Sequence, residues 1–240
     1  MSDVYIVEAC RSPNGKRGKG LAGMKPADLL GAIQHAALER SGVAPENIGQ
    51  VVGGCVSQVG EQTFNIARIA WLSQGLPLEV AATTIDSQCG SSQQAIHFAA
   101  QGVMAGAYDI VIAAGVESMS NVPMGSSVVG GEMGHPFPPA MLERYSETGL
   151  PPQGIGADMI SDEYNISRED LDAFGAQSQQ RAEQATTEGR FDNEIIPVPI
   201  DIDGVTEMHT VDEGIRPGTT AEKLGALKPA FKEDGRITAG

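Results

Sequence analysis

The sequence predicts an α/β fold, with a mixed but mostly parallel sheet covered by helices on both faces and a loop-rich inserted domain. Three observations carry that expectation. Apolar runs of strand length alternate with segments of helical periodicity over the first 120 residues, the order that builds successive βαβ units. Beyond Ser120 the chain turns to Gly, Pro, Ser and Met as far as Pro152, and the loss of periodicity marks the insertion. A length of 240 residues with 30 glycines and few aromatics supports a large core and suits closely packed layers.

Taken in order, residues 5–9 are expected as a first buried strand, closed by the turn Arg11-Ser12-Pro13-Asn14-Gly15. Pro26 opens a helix whose apolar residues are Leu29, Leu30, Ile33, Ala37 and Leu38, and Ser41-Gly42 stops it. Residues 48–56 and 80–85 read as the second and third strands, with a short helix over 67–72 between them. The uncharged run 87–108 contains Gln88, Gln93, Gln94, His97 and Gln101, so it is expected as a buried helix rather than a membrane span. A fourth strand over 109–114 ends at Gly115. Inside the insertion, Ser167-Arg168-Glu169-Asp170 resembles a capping box that starts a helix reaching Gly189. Pro197 and Pro199 make 194–202 an edge strand, and polar loop is expected from there to Gly240.

Sixteen basic residues against thirty-one acidic ones give a formal charge of −15, which repels nucleic acid and anionic lipid. Neither nucleic acid nor membrane is expected as a partner. Asp3 and Glu8 interrupt the short apolar start, so the expected location is cytoplasmic. An anionic ligand would need positive charge concentrated locally. Cys10, Cys55 and Cys89 are spaced too irregularly for a disulfide framework or a metal pair, and no metal is expected. The basic, glycine-rich stretch 15–20 is followed by Leu21, not by the Lys-Ser or Lys-Thr of a phosphate loop, and reads as a solvated turn.

Cys89 is the candidate for chemistry. It follows a predicted strand and opens a predicted helix, where free backbone N–H groups and the macrodipole favour an anion and hence a nucleophilic thiolate. Gly90, Ser91 and Ser92 let a substrate and neighbouring backbone approach closely. The alternative is that Cys89 is a small buried hydrophobe, the commonest role of cysteine.

Residues 86–95 (DSQCGSSQQA) resemble the nucleophile motif of the thiolase family, and Gly115-Val116-Glu117-Ser118-Met119-Ser120 is similar to its Gly-x-Glu-Ser-Met-Ser segment. Ala9-Cys10-Arg11-Ser12-Pro13, Arg190-Phe191 through Pro197, Leu227-Lys228-Pro229-Ala230-Phe231 and Thr238-Ala239-Gly240 complete the matches in the family's order. The resemblance is to the N-terminal half. It implies a thiolase-like core domain over 1–120 and a loop domain over 121–240, with a return strand near 194–202, ending before a C-terminal core domain.

It further implies an acyl-CoA C-acyltransferase that cleaves or forms 3-ketoacyl-CoA thioesters, with Cys89 as nucleophile and its backbone N–H as an oxyanion donor. Coenzyme A would be a substrate and no cofactor would be permanently bound. Arg216 would face the nucleotide end of the coenzyme, Leu224 its adenine, and Gln153 the acyl pocket, where many members carry Met; an ordinary surface Arg216 and a plain core role for Leu224 stay open. Gln153 leaves room for a longer or bulkier acyl chain. A homodimer or homotetramer is implied as well.

The family's histidine in a Gly-His-Pro motif and its second cysteine belong to the C-terminal half, so the 240 residues are expected not to turn over fully alone. Gly134-His135-Pro136 spells the same tripeptide too early in the chain and is expected as a loop; Cys10 and Cys55 are expected as core thiols. His35 and His97 are expected to pack within helices, and His209 to lie in a loop. Two other readings stay open: a non-catalytic acyl-CoA-binding or assembly subunit, and a decarboxylating ketoacyl synthase of the same fold. A dinucleotide-binding oxidoreductase is disfavoured, because no GxGxxG follows the first strand.

Overall fold

The computed structural model describes residues 3–147, 149–202 and 204–240. They form two compact units, Met1–Gly134 with Asn193–Gly214, and His135–Asp192 with Ile215–Gly240. In the first unit α1 (Pro26–Ser41), β1 (Gln50–Gly54), α2 (Ile66–Ser73), β2 (Ala82–Ile85), α3 (Ser91–Met104) and β3 (Val111–Gly115) follow one another. The three strands are parallel in the order β2-β1-β3, with Val52 level with Thr83 on one side and Ala113 on the other.

The chain moves from β1 outward to β2, then back across β1 to β3. Right-handed crossovers that travel in opposite directions must lie on opposite faces of the sheet. The glycines at the end of β1 bear this out, since neighbouring strand residues point to opposite faces. A Cβ on Gly53 would lie 2.6 Å from the Ala67 methyl of α2, whereas one on Gly54 would lie 2.5 Å from the backbone of Ser91 and Ser92 in α3.

The main core lies between α1, α2 and the sheet, where Leu38, Ile48, Val51, Ala67, Trp71, Leu76 and Val80 are buried together. The Trp71 indole N–H donates to Pro77 O at 2.8 Å, so the largest core residue leaves no polar atom unmet. Gly31 brings α1 onto α2; a Cβ there would lie 2.6 Å from Ala70 O. Among the described residues no helix is long and apolar enough to cross a membrane.

Two expectations fail here. Residues 5–9 form no strand ladder, and Tyr5, Ile6 and Val7 are 71–78% exposed. An apolar run favours extended backbone but does not by itself make a ladder, and among the described residues it pairs with neither outer edge of the sheet, on β2 or on β3. The second is the buried helix. Of the residues of α3 only Ser91 and Ala95 are buried, while Ile96, Phe98 and Met104 are exposed, because the helix rests on the sheet by one face only.

The edge strand appears as β4 (Val198–Ile202), but it is paired antiparallel with β5 (Val205–His209), a segment expected as polar loop. Val198 and Ile200, on one face of β4, pack with Leu21 against Met24, Leu29 and Ile33. No residue of β5 is buried, so no apolar alternation marks it in the sequence.

Beside this hairpin the turn at residues 11–20 closes around two carboxylates. Asp212 takes a bidentate pair from Arg11 at 2.7 and 2.9 Å and the Asn14 N–H at 2.7 Å. Glu213 accepts from Lys16 N at 2.7 Å and Gly20 N at 3.1 Å. The basic glycine-rich stretch is therefore an anion nest filled by the protein's own glutamate. The Arg11 hydrogen bonds, against the opposing effect of burial, hold Asp212 below the usual carboxylate range. For Glu213 burial pushes upward, but the two amides, His209 and Lys19 outweigh it.

The second unit holds α4 (Pro139–Arg144), α5 (Gln153–Glu163), α6 (Arg168–Thr187) and α7 (Ala221–Gly225), of which α5, α6 and α7 touch the C-terminal segment. Ser167 and Asp170 form the expected capping box of α6. Arg168 chelates Asp172 at 2.8 and 2.9 Å and donates to Leu224 O and Leu227 O, which ties α7 to α6. Sequence periodicity misses α5 because its buried residues are Gly154, Asp158 and Ser161, a small and polar face. Asp158 accepts the backbone N–H groups of Arg236 and Ile237 at 2.7 and 3.1 Å.

A carboxylate with a depressed folded pKa adds stability that is full above its unfolded value and is lost as the pH falls through the folded one. Asp212→Asn is expected to cost about 1.5–3 kcal/mol at neutral pH. The gap from the parent should close below pH ~4. Urea denaturation of both proteins across pH 2–8 checks this, and a gap independent of pH would refute the clamp.

Candidate active site

The three parallel strands end at one side of the sheet, and the loops that leave them meet there. This is where open α/β sheets with opposed crossovers gather ligands. After β2 come Asp86, Ser87, Gln88 and Cys89; after β1 the loop from Cys55 to Gln62; after β3 Val116, Glu117 and Ser118. Cys89 is exposed and stands two residues ahead of α3, whose first turn carries no acidic residue. The reading of Cys89 as a small buried hydrophobe is thereby removed.

The loop that carries Cys89 is tightly held. Gln88 adopts φ +50°, a left-handed conformation uncommon outside glycine. Its N–H donates to Asp86 Oδ1 at 2.7 Å. The Ser91 hydroxyl accepts from Ser87 N at 2.9 Å and donates to Gln88 O at 2.5 Å. Gly90 N and Ser91 N close back on Ser87 O and Gln88 O at 3.1 and 3.0 Å. The first turn of α3 sits directly on the sheet, since Gly54 faces the Ser91–Ser92 backbone and a Cβ on Gly115 would collide with Ser92 Oγ.

A second layer joins the other two strand ends. Glu117 accepts from Val56 N at 2.7 Å, Ser57 N at 3.2 Å and Gln62 Nε2 at 3.0 Å. Gln62, fully buried, reciprocates by accepting from Ser118 N at 2.7 Å and also donates to Ser57 O at 2.9 Å. Cys55 lies in this layer, 1% exposed. Burial, then the Glu117 carboxylate and Asp86, pushes its thiol up to about 12. Burial likewise raises Cys10, whose thiol points to Ile33 O at 3.9 Å. Of these residues the sequence assigned a role only to Cys89, although Asp86 to Ser91 and Glu117-Ser118 lie in the two family-like segments. A further signal was Gly53-Gly54 and Gly115 at strand ends, where a glycine announces a close backbone approach.

The other expected site residues lie in the second unit. Gln153 opens α5 beside Gly154, whose Cβ position is filled by the Phe231 ring. Arg216 is exposed, with its N–H donating to Gln179 Oε1 at 2.8 Å. Leu224 is 8% exposed and packs on Gly175 of α6 and on Gly240. His135 is an exposed loop residue whose ring meets Phe137 edge-on at 5.1 Å. Among the described residues no group of three His, Cys, Asp or Glu could hold a metal ion.

The family model described as thiolase, N-terminal domain, matches residues 4–240. The chain belongs to the thiolase family. This thiolase chain is 39% identical over its whole length to a steroid 3-ketoacyl-CoA thiolase of Mycobacterium tuberculosis and covers 58% of that protein. It is 40% identical to a 3-ketoacyl-CoA thiolase of Bacillus subtilis, again over its whole length and 62% of the relative. The crystal structure of a Bacillus anthracis acetyl-CoA acetyltransferase superposes with a TM-score of 0.81 at 31% identity, over 98% of this chain and 60% of that one. The thiolase fold is thus confirmed, and the chain spans about 60% of the length of the solved structure it matches.

Two outcomes test this arrangement. Iodoacetamide at pH 8 should label Cys89 and spare Cys55, as peptide mass spectrometry would report; equal labelling would contradict the buried placement of Cys55. Gly54→Ala should cost about 1–3 kcal/mol through overpacking, read as a lower melting temperature, whereas an unchanged melting temperature would show that α3 does not rest on that glycine.

Proposed function

We propose that the whole protein is a thiolase-type acyltransferase that cleaves or forms 3-ketoacyl-CoA thioesters through an acyl-cysteine intermediate on Cys89. The observation that carries this reading is the exposed Cys89 thiol at the C-terminal side of a parallel sheet and the start of α3, in a chain of this family. In the degradative direction Cys89 Sγ attacks the keto carbon and the bond between C2 and C3 breaks. The acyl group stays on sulfur, and C2 takes a proton to leave as acetyl-CoA. The thiol of a second coenzyme A then attacks the acyl-cysteine, releasing acyl-CoA and returning Cys89. The Cys89 N–H serves as one oxyanion donor.

The proton steps require a base and an acid, and we assign these to the part of the protein that corresponds to the remaining length of its relatives. Arg216, exposed in a chain of net charge −15, supplies a guanidinium for phosphate or adenine. Gln153, at the first position of α5, borders the acyl group, and Leu224 supports the adenine end from its place against α6. Coenzyme A enters as a substrate, not as a resident cofactor. A homodimer or homotetramer in the cytoplasm completes the reading.

Incubation of the protein with acetyl-CoA, followed by peptide mass spectrometry, is expected to show one acetyl group per chain on Cys89, and none in Cys89→Ala. Thiolysis of 3-ketoacyl-CoA substrates of increasing acyl length then defines the substrate class. An absence of acetylation while coenzyme A binds would favour a non-catalytic acyl-CoA-binding subunit.

A further inference from the structure

The backbone immediately ahead of Cys89 is strained, and one buried side chain closes the loop around the strain. Gln88 is exposed and at φ +50°. A residue with a Cβ holds that conformation only where surrounding contacts over-determine it, and such residues concentrate at functional sites. Those contacts lie on both sides of Gln88. Asp86 takes its N–H at 2.7 Å, while its C=O receives both the Ser91 hydroxyl at 2.5 Å and the Ser91 N–H at 3.0 Å. Ser91 is 4% exposed and also holds Ser87 N at 2.9 Å. One hydroxyl therefore spans the loop, gripping Ser87 and Gln88 together.

We propose that Ser91 is a positioning residue of this site: its hydroxyl locks Gln88 in the left-handed conformation that presents Cys89 Sγ to the acyl carbon. The inference rests on the reading of Cys89 as acyl acceptor and adds the device that aims it. Without the Ser91 hydroxyl, Gln88 relaxes toward the ordinary regions of backbone space and Cys89 swings with it, since they share a peptide bond. Attack on a bound thioester demands a near-attack geometry, whereas a small freely diffusing alkylating agent does not. Loss of Ser91 should thus separate the two reactions.

The test compares acetylation by acetyl-CoA with alkylation by iodoacetamide at Cys89, resolved by peptide mass spectrometry, in the parent, Ser91→Ala, Gln88→Val and Gln88→Gly. Labelling of buried Cys55 reports any unfolding in the same samples. Ser91→Ala and Gln88→Val are expected to slow acetylation about tenfold with alkylation of Cys89 changed less than about threefold and Cys55 unlabelled. Gln88→Gly should recover most of what Gln88→Val loses, because glycine takes positive φ without strain. Equal acetylation in the parent and Ser91→Ala, or equal losses in the two Gln88 variants, would overturn the positioning role. Should Ser91→Ala expose Cys55 to label, the Gln88 pair decides alone. A parent that is not acetylated at all would instead sink the reading of Cys89 on which the inference stands.

Discussion

The first turn of α3 rests on bare backbone at the ends of β1 and β3, and most of the candidate site depends on that approach. Gly54 and Gly115 permit it by lacking a Cβ; any side chain there would meet the Ser91–Ser92 backbone or the Ser92 hydroxyl. Because a helix begins with unsatisfied N–H groups, seating this one at the strand ends brings its positive pole to the side of the sheet where the loops converge. Cys89 lies in the short passage from β2 into that helix. The chemistry proposed for it follows from where the backbone can go before it follows from the thiol itself.

Around this seat the loops restrain one another with side chains rather than with secondary structure. Glu117 collects donors from the loop after β1, and Gln62 from that loop returns an acceptor to the segment after β3. Polar stitches of this kind are costly to leave half made, so the two loops are fixed together or not at all. Cys55 sits in the same layer with its thiol held protonated by burial and by neighbouring carboxylates. Two cysteines at the ends of adjacent strands thus have opposite environments, one exposed at a helix start and one enclosed beside negative charge.

The legible parts of the fold were those with an apolar signature or a capping motif. Helix α1 and the strands of the sheet lie near their expected places because burial leaves a pattern in the sequence, while α6, which buries only Asp172 and Ala176, was legible through its capping box. Where the buried face is small and polar, as with Gly154, Asp158 and Ser161 in α5, or where nothing is buried, as in β5, no period exists to be read. The apolar run at residues 5–9 misled in the opposite way. Its composition asked for a strand, yet it joins neither open edge of the sheet and its side chains stay exposed, so propensity alone does not make a ladder.

For the site, the sequence by itself determined the family, the parallel α/β plan and the one cysteine placed between a strand and a helix. Those are local matters, set by residue order and periodicity within a few tens of residues. Only the tertiary structure decided that Cys89 is exposed and Cys55 enclosed, that Glu213 fills the basic nest at residues 15–20, and that Ser91 closes the loop over Gln88. The first three depend on contacts between segments far apart in the chain, which no local pattern encodes. The fourth is close in sequence, but a serine after a glycine carries no mark of a left-handed neighbour until the helix has been seated on the sheet.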